Sequence, residues 1–193
     1  MPIEIEKKYR LTKQQRQSVE EKLRELDSVP SEVEFEENTV YQGGRLDLGG
    51  SALRLRRVNR GAILTFKQRF PSKSSIKYQQ EEETAVANPD GAHAIISALG
   101  FRVGLVYEKR RTRWNVGKAI VVIDELPFGL FMEIEASERE IKRVERLLAA
   151  ETLPPVMETY PSLTMKLGKQ RNGVFEARFK SEVRASGRAT RSK

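Results

Sequence analysis

The sequence contains no cysteine, and histidine and tryptophan occur once each. The absence of cysteine excludes disulfides, thiolate catalysis and cysteine-ligated zinc. His93, the single histidine, makes a serine-type catalytic triad and a histidine-rich metal site improbable. No apolar run approaches the roughly 20 residues that cross a bilayer, and the first ten residues lack the apolar core of a signal peptide. We therefore expect a cytoplasmic protein.

The chain has a net charge of +8, but this charge is unevenly distributed. From Lys166 onward there are nine Lys and Arg residues and two Glu residues, a net +7. A chain of 193 residues suits one domain with a proper core. We expect a domain over residues 1–170 and a basic, disordered tail over 171–193. An arm that contacts nucleic acid or another polyanion is the alternative for the tail.

Alternating apolar and polar residues predict eight strands, at about 2–10, 34–42, 51–59, 62–70, 76–87, 102–116, 118–126 and 130–137. Most connections are short, so most neighbouring strands should be antiparallel. Amphipathic helices are predicted at 12–27, after Asn88 and from Ser137. Thr12 with Gln15, and Ser137 with Glu140, have the spacing of capping boxes. The predicted fold is α+β, a closed eight-stranded antiparallel β-barrel, or tunnel, with amphipathic helices packed outside.

One glycine cluster, from Gly43 to Gly50, resembles a phosphate-binding P-loop. The essential lysine is missing, and no strand and helix surround it in the required order. We interpret it as a hairpin loop.

The polar faces of these strands are charged, which is unusual for so many strands of one sheet. In sequence order, the charged residues are Glu4, Glu6, Lys8, Arg54, Arg56, Lys67, Glu81, Glu83, Lys109, Arg111, Asp124, Glu133 and Glu135. For any single strand, a solvated outer face explains this pattern. Three helices with apolar faces change the interpretation, because helices packed on the apolar side leave the charged side inside the closing sheet. Charges in an interior must be paired, bound to metal or matched by a ligand.

The mixture of acids and bases suits a polyphosphate bound together with divalent cations. Carboxylates bind hard Mg²⁺ or Mn²⁺ through oxygen, and Arg and Lys bind phosphate oxygens. Either set alone would bind half of such a substrate.

At these residues the sequence resembles the CYTH superfamily, or triphosphate tunnel metalloenzymes, which includes class IV adenylate cyclases, thiamine triphosphatases and inorganic triphosphatases. Glu4-Ile5-Glu6-Lys7-Lys8 is similar to the family's Glu-x-Glu-x-Lys signature. The remaining matching motifs, in order, are Ala52-Leu53-Arg54-Leu55-Arg56, Leu64-Thr65-Phe66-Lys67, Gln80-Glu81-Glu82-Glu83, Gly100-Phe101, Lys109-Arg110-Arg111, Asp124 and Gly129-Leu130-Phe131-Met132-Glu133-Ile134-Glu135. The resemblance covers roughly residues 1–170.

The resemblance implies a role for each charged residue. As metal ligands for Mg²⁺ or Mn²⁺ it implies Glu4, Glu6, Glu133 and Glu135, with Glu81, Glu83 and Asp124 helping. As phosphate-binding residues it implies Lys8, Arg54, Arg56, Lys67, Lys109 and Arg111. The catalytic residues would be Glu4, Glu6 and Lys8, with Lys8 or a tunnel carboxylate as the base.

Some residues depart from the family pattern. Glu158 to Ser162 matches the family's Ser-Tyr segment only loosely, and Pro161 is expected to reshape the entry to the last helix. Glu82 falls on the opposite face of its strand and should be exposed. We expect Lys166 and Lys169 on a solvated face, and Trp114 and Tyr107 in packing roles.

Hydrolysis of a triphosphate (inorganic, nucleoside or thiamine triphosphate) is the function that we expect. The alternative is a class IV adenylate cyclase, which forms cyclic AMP and pyrophosphate from ATP. It needs the same phosphate-binding residues. A non-catalytic polyphosphate or nucleic-acid binder is a second alternative. The expected partner is a triphosphate-containing small molecule and not a membrane, and a homodimer is compatible with the sequence.

Overall fold

A computed structural model describes residues 3–44, 46, 50–59, 61–71 and 74–180 of the chain. The strands of the barrel are β1 (Ile3–Leu11), β2 (Glu34–Gln42), β3 (Ser51–Val58), β4 (Gly61–Arg69), β5 (Lys77–Val86), β6 (Arg102–Val116), β7 (Ala119–Leu126) and β8 (Gly129–Glu135). The helices are α1 (Lys13–Glu25), α2 (Pro89–Ala98), α3 (Glu138–Leu147) and α4 (Tyr160–Leu167). Two short strands follow, β9 (Lys169–Arg171) and β10 (Val174–Ala177).

The first eight strands form a closed antiparallel barrel, as the sequence predicts. Their order is β2-β3-β4-β5-β1-β8-β7-β6, and pairing between β2 and β6 closes the circle. Every pairing between neighbours in this circle is antiparallel. Each predicted strand lies within two residues of the observed bounds, because alternation at period 2 is a direct signal for strands that bury one face.

The helices begin where short side chains satisfy free backbone N–H groups. At α1, Thr12 accepts from the Gln15 amide and the Gln15 side chain accepts from the Thr12 amide, so the predicted capping box is confirmed. At α3, Ser137 accepts from the Glu140 amide. The Glu140 carboxylate binds Arg143 at 2.8 Å, so this helix has the N-cap bond while its glutamate forms an ion pair along the helix.

The apolar core lies between the barrel wall and the helices. Val19 and Leu23 of α1 and Ile141 and Val144 of α3 pack with strand residues such as Ile134. Ile96 of α2 packs with Leu55 and Tyr41. Trp114 is buried in the first of these clusters, in the packing role expected of it. The apolar faces of the strands are thus used outside the barrel, which leaves the charged faces for its interior.

The segment from Gly43 to Gly50 connects two directly paired antiparallel strands, β2 and β3. It is therefore a hairpin connection, as predicted, and no helix follows it as a P-loop requires. Residues 45 and 47–49 of this segment lie outside the described residues.

The sheet continues past residue 170, where the sequence suggested that the domain ends. Asn172 and Gly173, both with positive φ, connect β9 to β10, and β10 pairs in parallel with Leu105–Tyr107 of β6. Arg178 then binds Glu37 at 2.5 Å and Glu108 at 2.9 Å. Residues 181–193 of the expected tail lie outside the described residues. Within the described ranges, no helix is long and apolar enough to cross a membrane.

Candidate active site

The barrel encloses a cavity of about 610 Å³, and charged side chains from six of its eight strands line it. Of the predicted site residues, it is lined by Glu4, Glu6, Lys8, Arg54, Arg56, Lys67, Glu81, Glu83, Lys109, Arg111, Glu133 and Glu135. Strand register brings them together, since residues paired across neighbouring strands point to the same side of the sheet. Glu6 faces Glu135, Lys8 faces Glu133, and Lys67 faces Glu81 in this way.

Three carboxylates of the lining form a candidate metal centre. One oxygen from each of Glu4, Glu6 and Glu135 lies within 4.8 Å of the other two. Neighbouring groups hold this arrangement, because Gln79 donates to Glu4 at 2.6 Å and Lys77 donates to Glu6 at 3.1 Å. An all-oxygen set of this kind fits Mg²⁺ or Mn²⁺, which prefer carboxylate ligands.

Burial and the closeness of these carboxylates shift their pKa values. Burial raises the pKa of Glu135 to about 7; the Arg111 charge opposes this shift, and the carboxylates of Glu133, Glu4 and Glu6 add to it. Burial also acts to raise the pKa of Glu4, but hydrogen bonding from Glu81 and the charge of Lys67 outweigh it and lower the pKa. A divalent cation would relieve this repulsion, because opposite charge favours the ionised carboxylates.

The other predicted acids of β5 are paired with cations of β3 and β4. Glu81 lies 2.6 Å from Lys67 Nζ. Glu83 lies 2.7 Å from Arg56 Nη2 and accepts a hydrogen bond from Thr65. Glu82 on the same strand is exposed, as predicted from its phase.

Glu133 and Asp124 hold the cations of β1 and β6. Glu133 lies 3.2 Å from Lys8 Nζ and 2.8 Å from Arg111 Nη2. Asp124 binds Arg111 in a forked pair, at 2.8 Å to Nε and 2.6 Å to Nη2. Asp124 has no exposed surface and is absent from the cavity lining. The structure therefore places Asp124 behind Arg111, and the metal role expected for it does not fit this geometry.

Sequence reasoning missed two buried charges of the interior, Glu36 and Lys77. Glu36 Oε2 lies 3.3 Å from Lys109 Nζ, and its carboxylate is within 4.0 Å of Arg56 and Arg111. Burial acts to raise the pKa of Glu36, but these three cations outweigh it and lower the pKa to about 2. Burial lowers the pKa of Lys77 to about 8, the Lys8 charge adds to this shift, and Glu6 opposes it.

A signal for both was present in the sequence. Lys77 lies in phase with Glu81 and Glu83, and Glu36 lies in phase with Asn38 on a strand whose other face carries Phe35. Extending the charged alternation to every strand would have found them.

Tyr160, the first residue of α4, is another group that the sequence did not single out. Its hydroxyl donates to Asp124 Oδ2 at 2.9 Å, and its ring centre lies 3.8 Å from Lys8 Nζ and 5.5 Å from Lys109 Nζ. Thr159 caps this helix, and Pro161 lies in the first turn, where its missing N–H costs no hydrogen bond. The helix therefore forms in spite of the loose match that the segment has to the family pattern.

Four buried polar atoms on the lining residues and their neighbours lack a hydrogen-bond partner among the described residues. They are Arg54 Nε, Arg56 Nε, Glu36 Oε1 and Asn38 Oδ1. Unpaired buried donors on two arginines are costly unless an acceptor from elsewhere reaches them. Phosphate oxygens are acceptors of the right charge.

Most of the remaining candidates lie away from the cavity. Lys166 is exposed and pairs with Glu158, and Lys169 is exposed on β9, as expected of a solvated face. His93 Nδ1 lies 2.8 Å from the Tyr41 hydroxyl on the outer side of the barrel. Tyr107 is buried and packs in an apolar cluster, but it also lines the cavity.

A closed antiparallel barrel whose interior carries a cluster of carboxylates and a ring of cations defines a tunnel with a lining suited to anions and divalent metal ions. The chain belongs to the CYTH domain family, whose profile matches residues 2–155. A comparison with curated protein sequences gives no significant match.

Solved structures share the fold at low sequence identity. The PH1012 protein from Pyrococcus horikoshii OT3 is 23% identical, with a TM-score of 0.71 over 83% of this chain and 98% of that one. The PH1819 protein from the same organism is 25% identical, with a TM-score of 0.69 over 84% and 98%. The putative adenylyl cyclase HpAC1 from Hippeastrum, described as having a dominant triphosphatase activity, is 19% identical, with a TM-score of 0.67 over 84% and 95%.

Proposed function

We propose that this protein hydrolyses a triphosphate in its barrel cavity with the help of Mg²⁺ or Mn²⁺. The observation that carries the proposal is the placement of the carboxylates Glu4, Glu6 and Glu135 in one cavity that eight Lys and Arg residues also line. Membership of the CYTH domain family, in which metal dependence is general, supports it. So does the triphosphatase activity named for the Hippeastrum protein, which has the same fold.

The cations bind and orient the phosphates. Arg54 and Arg56 each have a buried Nε that lacks a hydrogen-bond partner within the described part of the chain, and both side chains line the cavity. Arg111 is held rigidly by Asp124 and Glu133, so it offers a fixed charge rather than a mobile one. Positioning the chain of phosphates in this way is the main contribution that a protein makes to phosphoryl transfer.

The carboxylates Glu4, Glu6 and Glu135 would hold the metal. When bound, the ion offsets negative charge on the phosphate oxygens and on the leaving group. Hydrolysis then needs a water molecule whose oxygen attacks the terminal phosphorus while the bond to the bridging oxygen breaks. The proton of that water passes to a carboxylate of the cavity, and orthophosphate and diphosphate are the products.

Lys8 is better suited to binding than to accepting a proton. Its ammonium lies 3.2 Å from Glu133 and 3.2 Å from the Glu158 carbonyl oxygen, and the ring of Tyr160 covers it. Three such contacts hold the ammonium group in one place. We therefore assign Lys8 to the phosphate clamp, by which we mean the phosphate-binding residues Lys8, Arg54, Arg56, Lys67, Lys109 and Arg111.

An assay of the reaction products tests the proposal. Purified protein is incubated with tripolyphosphate or ATP and Mg²⁺ or Mn²⁺, and orthophosphate, pyrophosphate and cyclic AMP are measured. We expect orthophosphate, and none in the presence of EDTA. Cyclic AMP with pyrophosphate would indicate the cyclase reaction instead. Binding that survives EDTA and weakens steeply with salt, without turnover, would indicate a polyanion binder.

A further inference from the structure

The C-terminal part of the chain carries positive charge that its ion pairs leave largely unbalanced. From residue 166 onward there are nine Lys and Arg residues against two Glu residues. Of the nine, Lys166 and Arg178 form ion pairs with described acids. Lys169, Arg171 and Lys180 are exposed and form no ion pair within the described ranges. These three side chains are therefore available to bind an anion.

The β9–β10 hairpin holds part of this charge in a fixed position. β10 pairs with β6 on one side and with β9 on the other. A Cβ at Gly168, directly before β9, would lie 2.5 Å from the Thr164 carbonyl oxygen and 2.6 Å from that of Glu176. The hairpin thus packs closely against α4. Because β9 is the last strand of the sheet, Lys169 and Arg171 lie on its edge strand.

The rest of the chain starts beside this hairpin. The Phe179 amide donates to Glu108 Oε2 at 2.7 Å, which holds the chain against β6 immediately before Lys180. Residues 181–193 follow, and their sequence continues the excess of positive charge. They contain the cations Arg184, Arg188, Arg191 and Lys193 and the single acid Glu182. Hairpin and tail therefore supply seven cations, besides Lys166 and Arg178, from one part of the molecule.

The residue types among these cations distinguish between possible polyanions. Val183 is the only large apolar residue of the segment 181–193, and stable binding to a lipid surface takes an apolar anchor as well as charge. Four of the seven cations are Arg. A guanidinium group binds phosphate and also stacks on planar rings, whereas an ammonium group binds phosphate as a point charge. Stacking together with phosphate contacts is the usual way to bind single-stranded nucleic acid.

We propose that the β9–β10 hairpin and residues 180–193 bind single-stranded nucleic acid, through its phosphates and by stacking of guanidinium groups on its bases. Lys169 and Arg171 do not line the barrel cavity. This surface therefore uses other cations than the triphosphate site, and the proposal goes beyond the proposed function. Binding depends steeply on salt and little on base sequence, because each phosphate contact releases counterions.

Fluorescence anisotropy of a labelled RNA of about 20 nucleotides measures this binding. The RNA has a 5′-hydroxyl end, so it offers no triphosphate to the cavity, and EDTA removes divalent metal. With seven phosphate contacts, log Kd should rise against log NaCl concentration with a slope of about 5. Absence of binding at about 50 mM NaCl, or a slope near zero, would overturn the proposal.

Two variants separate the hairpin from the tail. A chain ending at residue 180 keeps the ion pairs of Arg178 but lacks four cations. Its slope should fall by about 3, and its affinity for RNA by at least about tenfold. Lys169→Gln/Arg171→Gln in the full chain should lower the slope by about 1. An unchanged slope in either variant would contradict the proposal.

Lys118→Gln/Lys142→Gln is the matched control, because it removes two charges at the other end of β6. Lys118 lies in the turn after β6, whereas the hairpin pairs with Leu105–Tyr107. Lys142 lies on α3 beside Arg143, which donates to the carbonyl oxygen of Val116 at the same end. Both lysines are exposed. An equal loss in the control and in the hairpin variant would show an effect of net charge alone and overturn the proposal.

Other polyanions and a variant of the cavity complete the test. RNA should bind about tenfold more tightly than inorganic polyphosphate of equal charge, because polyphosphate has no bases to stack. Phosphatidylserine vesicles or polyphosphate that bind as tightly as RNA, and lose affinity in the chain ending at residue 180, would overturn the choice of nucleic acid. Arg54→Gln alters the phosphate clamp and should leave RNA binding unchanged. Loss of RNA binding in this variant would place the RNA in the barrel cavity and refute the proposed surface.

Discussion

The Tyr160 hydroxyl donates a 2.9 Å hydrogen bond to Oδ2 of Asp124, the carboxylate that holds Arg111 in a forked pair. The same ring covers Lys8 Nζ at 3.8 Å. One residue of α4 thus contacts Lys8 directly and also bonds the carboxylate that holds Arg111. The position of this helix and the geometry of the phosphate site are therefore connected.

We predict that Tyr160→Phe weakens substrate binding more than it lowers kcat. The variant keeps the ring over Lys8 but removes one hydrogen bond from buried Asp124, at a cost of about 1 kcal/mol. KM for a triphosphate should rise about three- to tenfold in steady-state assays. Tyr78→Phe is the control, because the Tyr78 hydroxyl also binds a carboxylate, that of Glu138, but on the surface. An equal change in both variants would contradict the role of Tyr160.

Glu36→Gln should destabilise the protein. The change leaves Lys109, Arg56 and Arg111 with less opposing charge in a buried place, which typically costs about 3 kcal/mol. Urea unfolding at pH 7 measures this cost. Tripolyphosphate should recover part of it, because a bound polyanion replaces the missing charge. A variant as stable as the parent would show that Glu36 does not balance these cations.

Glu135→Gln should instead stabilise the metal-free protein at high pH. Burial raises the pKa of Glu135 to about 7 from its ordinary value of 4.5. The folded state therefore keeps the proton longer than the unfolded chain, and stability is lost as pH rises between these two values. In EDTA at pH 8 we expect the free energy of unfolding of the variant to exceed that of the parent by on the order of 2 kcal/mol. Near pH 4 the two free energies should be equal.

Thermal unfolding of Glu135→Gln and of the parent between pH 4 and pH 8 shows whether the variant is the more stable of the two. Glu82→Gln is the matched control, because Glu82 is exposed on the barrel surface and should change stability by less than about 0.5 kcal/mol at either pH. A Glu135→Gln variant that is less stable at pH 8 would contradict the prediction.

Removal of one carboxylate should also weaken metal binding. In the parent, Mn²⁺ should raise the melting temperature, by an amount that grows with its concentration relative to Kd. Glu4→Gln should bind Mn²⁺ at least about tenfold more weakly and lose turnover while keeping the fold. Circular dichroism with a Mn²⁺ titration measures both, and Glu82→Gln should behave as the parent. Full turnover in Glu4→Gln would refute the proposed metal centre.

The barrel could be predicted because its strands repeat one simple pattern. Most of the strands alternate charged and apolar residues, and the amphipathic helices require an apolar surface, so only one side of the sheet is left for the charges. The β9–β10 hairpin was missed although Asn172-Gly173 is a strong turn signal. Its strands are so short, at three and four residues, that alternation gives little information.

The partners of the charges were harder to predict than their location. Alternation shows that Asp124 faces inward but not that both of its oxygens are occupied by Arg111. Such pairing depends on side-chain reach between strands. Tyr160 likewise belongs to a helix whose position over Lys8 follows from tertiary packing and not from local pattern.

The bridge formed by Arg178 has a consequence for the way the barrel closes. Glu37 and Glu108 face each other across β2 and β6, the two strands whose pairing closes the barrel. Like charges in this position repel. Arg178 lies between them and forms an ion pair with each. A chain shortened to residue 180 keeps both ion pairs. A chain that ends at Ala177 loses them, so that Glu37 and Glu108 repel each other across the strands that close the barrel.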